Sequence, residues 1–186
     1  MTVSEYTKSI NDSCRYATDD ELDWMSEFSK SLGKDSLVVM LGAGTGSLLL
    51  GLKDGRRDLH AVVIDHNNYY YAEAHLKGNG YEKNVEFVLG DSVDIGKSWG
   101  KKIDLLIVDT DHTENTTRQE IDIWMPHVES GGLIFFHDYD PVGTWFEDKE
   151  QYPGVKVAVD DRMSGYQFVR RVGTAIIFKK RAKKKS

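Results

Sequence analysis

Two groups of acidic and histidine side chains have the residue types that acid–base catalysis or metal binding requires. Each group directly follows a short apolar run, one at Ile103–Val108 and one at residues 133–136. The members are Asp109, Asp111, His112, His137, Asp138 and Asp140. If both runs are parallel strands, the two groups meet at one edge of a sheet, because ligands of such sheets bind at the carboxyl ends of the strands. Together they predict either a site for a divalent cation such as Mg²⁺ or an imidazole that acts as a general base.

The elements that would position these groups alternate between short apolar runs and segments of helical periodicity. The predicted strands are Leu37–Leu41, 61–64, Val85–Leu89, Ile103–Val108 and 133–136, followed by a hairpin at Gln167–Val172 and 174–178. The predicted helices are 19–32, 47–53, 68–77, 116–124 and 155–163. Such alternation is typical of parallel β-α-β units. We therefore expect an α/β protein with a Rossmann-like doubly wound sheet, mostly parallel, that ends in a C-terminal antiparallel hairpin.

A glycine-rich turn follows the first predicted strand and indicates where a ligand binds. It consists of Gly42, Ala43, Gly44, Thr45 and Gly46. Glycines let a backbone turn sharply and approach a ligand, and the helix that follows can direct its amides toward that ligand. A dinucleotide fingerprint would need glycine where Ser47 stands, and a P-loop would need a lysine after the turn. Asp65, 19 residues after Gly46, is suited to accept both hydroxyls of a ribose, so we expect a single nucleoside.

Length, composition and charge predict one domain of a cytoplasmic protein. The 186 residues are 40% hydrophobic and 29% charged, with no apolar run of membrane-spanning length and no secretory h-region. The single cysteine, Cys14, excludes an internal disulfide and a cysteine metal cluster. The net charge is −6, although six of the 24 basic residues lie in the last eight positions. The acidic body argues against a general nucleic-acid surface, and we expect no membrane partner.

The motifs, in their order along the chain, resemble those of class I S-adenosylmethionine-dependent methyltransferases. The matching stretches are TDDELDWMSEF, LVVMLGAGTGSLL, AVVIDH, VLGDSVD, LLIVDTDH, WMPHVESGGLIFFHDYDP and GVKVAVDDR. Within that superfamily the chain is similar to small-molecule and sugar O-methyltransferases, including macrocin and cephalosporin-biosynthesis methyltransferases. The stretches fall within residues 18–180, which we interpret as the methyltransferase domain, between an N-terminal extension at 1–17 and a basic tail at 181–186.

The resemblance implies a set of residues that bind the cofactor, S-adenosylmethionine. They are Gly42, Ala43, Gly44, Gly46, Asp65, His66, Asp91, Ser92 and Asp109. Of these, the glycines would bracket the methionine part, Asp65 would hold the ribose, and Asp91 with Ser92 would edge the adenine. One departure from the family is Met40, where related enzymes usually have an acidic residue that orients the cofactor's amino group. The affinity for the cofactor is then weaker, or another acid, such as Asp109 or Asp111, takes that role.

The resemblance also implies methyl transfer to a hydroxyl of a small molecule or a sugar. Related enzymes hold a divalent cation with acids after the fourth and fifth strands, which here indicates Asp109, His137 and Asp138 as metal ligands. One alternative is metal-free catalysis, with His112 as the preferred general base and His137 as the other candidate. Asp111 or Asp109 would orient the His112 imidazole. The other alternative is a purely structural role for both groups.

Two alternative functions stay open at the level of the sequence. Met40 and the small amount of chain beyond the core fold suggest a cofactor-binding protein without catalysis, or a subunit that requires a partner. A second copy would then complete the substrate pocket in a homo-oligomer. A nucleic-acid methyltransferase guided by the basic tail is the weaker option, because Asp109-Thr110-Asp111-His112 stands where such enzymes carry a Pro-Pro-Tyr-type motif.

Overall fold

The computed structural model describes residues 16–67, 69–140 and 153–182. Three interpretations made from the sequence lie wholly or partly outside these ranges. They are the N-terminal extension up to residue 15, the stretch after residue 140, and the end of the basic tail. In that stretch, a long loop after the fifth strand that carries Trp145 and Phe146 predicts a substrate lid. The domain boundaries therefore stay predictions.

One sheet runs through the centre of the described chain. Its strands are β1 (Leu37–Leu41), β2 (His60–Asp65), β3 (Val85–Leu89), β4 (Ile103–Val108), β5 (Val128–Phe136), β6 (Gln167–Val172) and β7 (Ala175–Lys179). Their spatial order is β3-β2-β1-β4-β5-β7-β6. Neighbours from β3 to β5 are parallel, whereas β7 is antiparallel to both β5 and β6. This confirms the Rossmann-like sheet with its C-terminal hairpin, and the strand order reverses between β1 and β4, where ligands of such sheets bind.

Helices cover both faces of this sheet. Their bounds are α1 (Asp19–Ser31), α2 (Ser47–Gly55), α3 (Tyr70–Gly78), α4 (Ser92–Lys97), α5 (Glu114–Trp124) and α6 (Pro153–Arg162). Val38 and Met40 of β1 pack with α1, α2 and α3, whereas Val39 and Leu41 pack with α5 and α6 on the other face. Fully burying such a side chain stabilises the fold by about 1.5–3 kcal/mol. None of the helices in the described ranges is long and apolar enough to cross a membrane.

Helix α1 begins with a reciprocal capping box, which fixes one buried carboxylate. The Glu21 N–H donates to Thr18 Oγ1 at 3.3 Å, and the Thr18 N–H donates to Glu21 Oε2 at 2.7 Å. The other oxygen of Glu21 accepts hydrogen bonds from Thr174, in the turn between β6 and β7. The first helix and the last hairpin of the described chain are thereby joined through a side chain that has no exposed surface.

Two elements differ from the sequence prediction. Between the third and fourth strands the sequence predicts only a short polar connection, but residues 92–97 form α4. Asp91 caps this helix by accepting the Asp94 N–H at 3.0 Å. Strand β5 begins at Val128 rather than at residue 133, because the Gly131 N–H donates to Lys180 O at 2.8 Å and carries the pairing past the glycines. The adjacent glycines Gly131-Gly132 predict a turn before this strand. That prediction is wrong, because Gly131 lies inside the strand with a φ of 88°.

Candidate active site

A cleft of about 660 Å³ opens at the carboxyl ends of β1 to β5. All the site residues predicted from the sequence line it except three. Ala43 and Gly46 belong to the glycine turn behind the cleft wall, and Asp140 pairs with Arg171 at the surface instead. The structure therefore brings the predicted cofactor residues and the two polar groups into one space. Tyr16 and Thr110 also line the cleft, and neither was predicted to do so.

The glycine turn requires glycine for two different reasons. Gly42 and Gly46 have φ values of 86° and 80°, and a Cβ on Gly42 would lie 1.8 Å from the backbone oxygen of Asp109. A Cβ on Gly46 would lie 3.1 Å from Ala72 of α3. Gly44, with φ 47°, meets no atom within 4 Å of the Cβ position, so its backbone faces the open cleft. A ligand can therefore approach the main chain most closely at Gly44.

Asp65, at the end of β2, holds the glycine turn as well as lining the cleft. Its Oδ2 accepts the Ala43 N–H at 2.7 Å, and its Oδ1 accepts the Asn67 N–H at 2.7 Å. A carboxylate has about four lone-pair sites, so two backbone bonds leave room for hydroxyl donors. His66 follows Asp65 into the cleft, and its Nε2 lies 2.9 Å from the Asn67 side-chain nitrogen.

The loop after β3 contributes Asp91 and Ser92, and both side chains already have partners. Asp91 caps α4 through the Asp94 N–H. Ser92 directs its hydroxyl to Oε1 of Glu120, on α5, at 2.5 Å. The predicted adenine-side residues therefore line the cleft, but the Ser92 hydroxyl is committed to a buried acid in this structure.

The two polar groups at the ends of β4 and β5 meet as a compact His–Asp cluster, formed by Asp109, His112, His137 and Asp138. His137 Nδ1 lies 3.0 Å from Asp109 Oδ1 and 3.1 Å from Asp138 Oδ2. His112 Nε2 lies 3.1 Å from Asp138 Oδ2 and 3.5 Å from Asp109 Oδ1. The sequence prediction that these groups share one edge of the sheet therefore matches the geometry.

Two residues of this cluster have left-handed backbone conformations that are uncommon outside glycine. The φ values are 62° at His112 and 50° at Asp138. Each such conformation costs on the order of 1–3 kcal/mol, which the surrounding contacts must offset. The Asp138 N–H donates to Thr174 Oγ1 at 3.3 Å, which helps to hold the β5 loop in this form. The strain directs both side chains toward the same point in the cleft wall.

Charge pairing outweighs burial in the cluster. Burial alone would lower the pKa of His137, but Asp109, Asp138 and Glu21 raise that pKa well above its ordinary value. Burial also opposes the charge on His112, yet its hydrogen bonds to the carboxylates of Asp109 and Asp138 raise its pKa to about 9. Burial would raise the pKa of Asp138, but the two imidazoles hold it well below the usual range. Without another cation beside them, the carboxylates therefore favour the protonated form of both histidines.

Glu21 supports the cluster from behind. Its Oε2 lies 3.4 Å from His137 Nε2, and its Oε1 accepts both the N–H and the hydroxyl of Thr174 at 2.8 Å. Burial opposes its ionisation, but the His137 contact and the bonds from Thr18 and Thr174 lower its pKa. Both ring nitrogens of His137 thus face carboxylates, which fixes the orientation of the imidazole.

The donor set of the His–Asp cluster fits a divalent cation. One ligand atom from each side chain lies within 4.8 Å of the others. Asp138 Oδ1 is buried and has no hydrogen-bond partner among the described residues, and a cation would satisfy it. Two imidazoles with two carboxylates suit ions such as Mn²⁺ or Zn²⁺ better than Mg²⁺, which prefers oxygen ligands.

Three residues that shape the site were not identified from the sequence. Glu21 has the pattern of an ordinary capping box, and Glu120 has that of a surface acid on an amphipathic helix. His75, interpreted as a surface or packing residue, has its Nδ1 2.9 Å from Thr45 O in the glycine turn. No local signal distinguishes these residues, because each has a partner that lies 28 or more positions away in the chain.

Met40, the departure from the related enzymes, is 1% exposed and packs in the core rather than lining the cleft. The side chain at this position therefore offers no charge to a cofactor. The acids that do line the cleft nearby are Asp109 and Asp111, after β4.

Solved structures with this fold include several methyltransferases. A Staphylococcus aureus protein with a provisional assignment as a caffeoyl-CoA O-methyltransferase has a TM-score of 0.74 at 15% identity, covering 96% of this chain and 90% of its own. The SAH-bound methyltransferase PaMTH1 of Podospora anserina has a TM-score of 0.73 at 15% identity, and the match covers 97% of this chain and 86% of that protein. The O-methyltransferase of Bacillus cereus in complex with SAH has a TM-score of 0.69 at 11% identity, and the match covers 96% of this chain and 89% of that protein. Similarity at these identities shows a shared fold.

Sequence comparison identifies the family. No curated protein matches the chain significantly. A family model described as a methyltransferase domain matches residues 39–139, which is more than half of the 186 residues and extends from β1 through Tyr139. The matched region contains the glycine turn, Asp65 and the whole His–Asp cluster. The chain therefore belongs to the methyltransferase-domain family and is an S-adenosylmethionine-dependent methyltransferase.

Proposed function

We propose that this protein transfers the methyl group of S-adenosylmethionine to a hydroxyl of a small molecule or a sugar. The observation that carries the proposal is that the His–Asp cluster lines the same cleft as the glycine turn and Asp65. Methyl transfer from a sulfonium is an in-line displacement, so alignment of donor and acceptor is the main requirement. The second requirement is removal of the hydroxyl proton, for which the cluster supplies the chemistry.

The nucleoside half of the cleft, which we define as Gly42, Gly44, Asp65, Asp91 and Ser92, would hold the cofactor. The methionine part would lie over the glycine turn, where the backbone at Gly44 is open to the cleft. The ribose hydroxyls would donate to Asp65, and the adenine would lie beside Asp91 and Ser92. His66 borders this half, and Ala43 and Gly46 keep the turn in shape behind it.

The His–Asp cluster would hold a divalent cation next to the acceptor. Asp109, His112, His137 and Asp138 are the proposed ligands, and Asp109 also faces the cofactor side of the cleft. A cation there supplies Lewis acidity, which lowers the pKa of a bound hydroxyl and orients its oxygen. Glu21 and Thr174 position His137 and the Asp138 loop from behind.

The metal-free alternative uses His112 as the general base, with Asp109 to orient it. A base must be unprotonated, and the pKa of His112 is about 9 when only the carboxylates surround it. The pKa of His137, which is buried among three carboxylates, is also raised well above its ordinary value. This mechanism would therefore require alkaline pH, and the unpartnered Asp138 Oδ1 favours the cation.

Two further points support an oxygen acceptor. The S. aureus and B. cereus structures carry O-methyltransferase assignments, and they share the fold over nearly the whole chain. The stretch LIFFHDYDP also resembles the corresponding run of macrocin and cephalosporin-biosynthesis methyltransferases, from which we propose an aliphatic or sugar hydroxyl in particular.

The test has two stages. Calorimetry with S-adenosylmethionine and S-adenosylhomocysteine first measures cofactor affinity, and absence of binding at millimolar concentration would contradict the proposal. Labelled S-adenosylmethionine is then incubated with a panel of phenols, sugars and aliphatic alcohols, each with EDTA, Mg²⁺, Mn²⁺ or Zn²⁺. We expect a hydroxylated acceptor to be methylated, and we expect EDTA to abolish this methylation. Cofactor binding without turnover on any acceptor would instead support a non-catalytic or partner-dependent protein.

A further inference from the structure

A buried carboxyl lies directly behind the nucleoside half of the cleft. Glu120, on α5, has no exposed surface. It lies between the loop after β3 and the loop after β4, and residues of both loops line the cleft. None of the roles described so far uses this acid.

Glu120 joins the two loops through their hydroxyls. Ser92 Oγ lies 2.5 Å from Glu120 Oε1, and Thr110 Oγ1 lies 2.9 Å from Glu120 Oε2. One turn further along α5, the Trp124 indole N–H donates to Ser92 O at 3.0 Å. Helix α5 thus holds Ser92 by both its side chain and its backbone, so the hydroxyl of Ser92 has little freedom to move away from Glu120.

The charged groups that act on Glu120 come from the same two loops. Burial raises the pKa of Glu120 to about 7, and the charges of Asp111 and Asp91 add to that effect. The hydrogen bonds from Ser92 and Thr110 act in the opposite direction. Both protonation states of Glu120 are therefore populated near neutral pH.

The two states use the hydroxyls differently. An ionised carboxylate only accepts, so Ser92 and Thr110 both donate their protons to Glu120 and offer only lone pairs to the cleft. A protonated carboxyl donates one hydrogen bond, so one of the hydroxyls becomes its acceptor. That hydroxyl can then direct its own proton into the cleft, toward a nitrogen or oxygen of a nucleoside.

We propose that Glu120 is a positioning residue for cofactor recognition, whose protonation decides whether the Ser92 and Thr110 hydroxyls donate to Glu120 or to the bound nucleoside. The inference rests on the proposed placement of the nucleoside next to Ser92. Low pH then strengthens cofactor binding, because one additional donor becomes available in the cleft. Glu120 itself does not touch the cofactor.

The variant that tests this is Glu120→Gln, with Glu114→Gln as its matched control. A glutamine amide donates at nitrogen and accepts at oxygen at every pH, so it reproduces the protonated carboxyl. Glu114 lies on the same helix but is half exposed and pairs with Arg118 at the surface. The readout is the dissociation constant of S-adenosylhomocysteine at pH 6 and pH 8. Histidines also change charge in this pH range, so each variant is characterised by the ratio of its dissociation constants at pH 8 and pH 6, and these ratios are compared.

We expect wild type and Glu114→Gln to bind about 3- to 10-fold more tightly at pH 6, as one additional hydrogen bond implies. In Glu120→Gln the dissociation constants at pH 6 and pH 8 should be equal. The affinity of this variant at pH 8 should match the tighter affinity of wild type at pH 6. Ser92→Ala, folded by circular dichroism, should also show a reduced ratio. The inference would be overturned if Glu120→Gln kept the wild-type ratio. It would also be overturned if this variant bound S-adenosylhomocysteine more weakly than wild type by the same factor at both pH values. If wild type and Glu114→Gln bind no S-adenosylhomocysteine at either pH, the proposed cofactor site itself fails, and this inference fails with it.

Discussion

The nucleoside half of the cleft and the His–Asp cluster both rely on carboxylates, but they pair them in different ways. Asp65 and Asp91 accept backbone N–H groups from neighbouring turns, at 2.7 to 3.0 Å. Asp109 and Asp138 pair instead with imidazoles, at 3.0 to 3.5 Å. The first arrangement fixes main-chain geometry around a ligand, whereas the second concentrates titratable charge.

This difference indicates how binding and chemistry divide between the halves. Backbone-held carboxylates keep their geometry whether or not a metal is present, so cofactor affinity should be insensitive to chelation. The His–Asp cluster depends on which cation balances its carboxylates, so turnover should respond to pH and metal. The halves touch where the Gly42 backbone packs against the Asp109 carbonyl.

The contact between the halves should give the largest effect. Gly42→Ala would place a Cβ 1.8 Å from the Asp109 oxygen, on a backbone with φ 86°, so both halves must shift. We expect affinity for S-adenosylhomocysteine to fall by more than about 100-fold, with loss of methyl transfer. The matched control is Gly100→Ala, because that Cβ position meets no atom within 4 Å. Equal calorimetric affinities for both variants would show that the halves are independent.

Asp65→Ala should break the nucleoside half alone. It removes two bonds to backbone N–H groups and the proposed ribose acceptor, which corresponds to a loss of about 100- to 1000-fold in cofactor affinity. Asp65→Asn keeps one acceptor oxygen and should lose less. Calorimetry with S-adenosylhomocysteine distinguishes the two variants. Unchanged affinity in Asp65→Ala would mean that the ribose is held elsewhere.

Asp138→Asn should break the His–Asp cluster alone. We expect kcat to fall by about 100-fold and the dependence on a divalent ion to disappear, while S-adenosylhomocysteine affinity stays within a factor of about two. Asp140→Asn is the control, because Asp140 is in the same loop but pairs with Arg171 at the surface. If wild-type turnover survives EDTA, the metal proposal is wrong.

The smallest effect concerns the stability of the metal-free protein. The pKa of His112 is raised to about 9 in the folded state, whereas in the unfolded chain it is about 6.5. The contribution of His112 to the free energy of unfolding is therefore fully present below pH 6.5 and is lost as the pH rises through 9. The melting temperature of EDTA-treated protein should therefore drop by several degrees between pH 6.5 and 9.5. Calorimetric scans of wild type and Asp138→Asn measure this, and equal drops in both would contradict the pairing.

The fold and most of the cleft lining were predictable from the sequence because their signals are local. Apolar runs and glycine spacing identified the strands, and Asp65 and Asp109 were found because they follow strand ends. Helix α4 was missed because its six residues are too few to show an apolar stripe. Glu120 and Glu21 were missed because a glutamate on a helix normally faces solvent. Only the tertiary structure shows that hydroxyls from distant loops surround them.

The bond between Glu21 and Thr174 spans 153 positions of the chain, and this separation has a consequence for the order of folding. Closing so long a loop costs conformational entropy before the contact contributes any stability. The bond between Asp65 and the Ala43 N–H, in the glycine turn, spans only 22 positions. Thr174 anchors Glu21 behind His137 and accepts the Asp138 N–H, so both residues depend on the hairpin of β6 and β7. We therefore expect the glycine turn to reach its final geometry before the His–Asp cluster does during refolding.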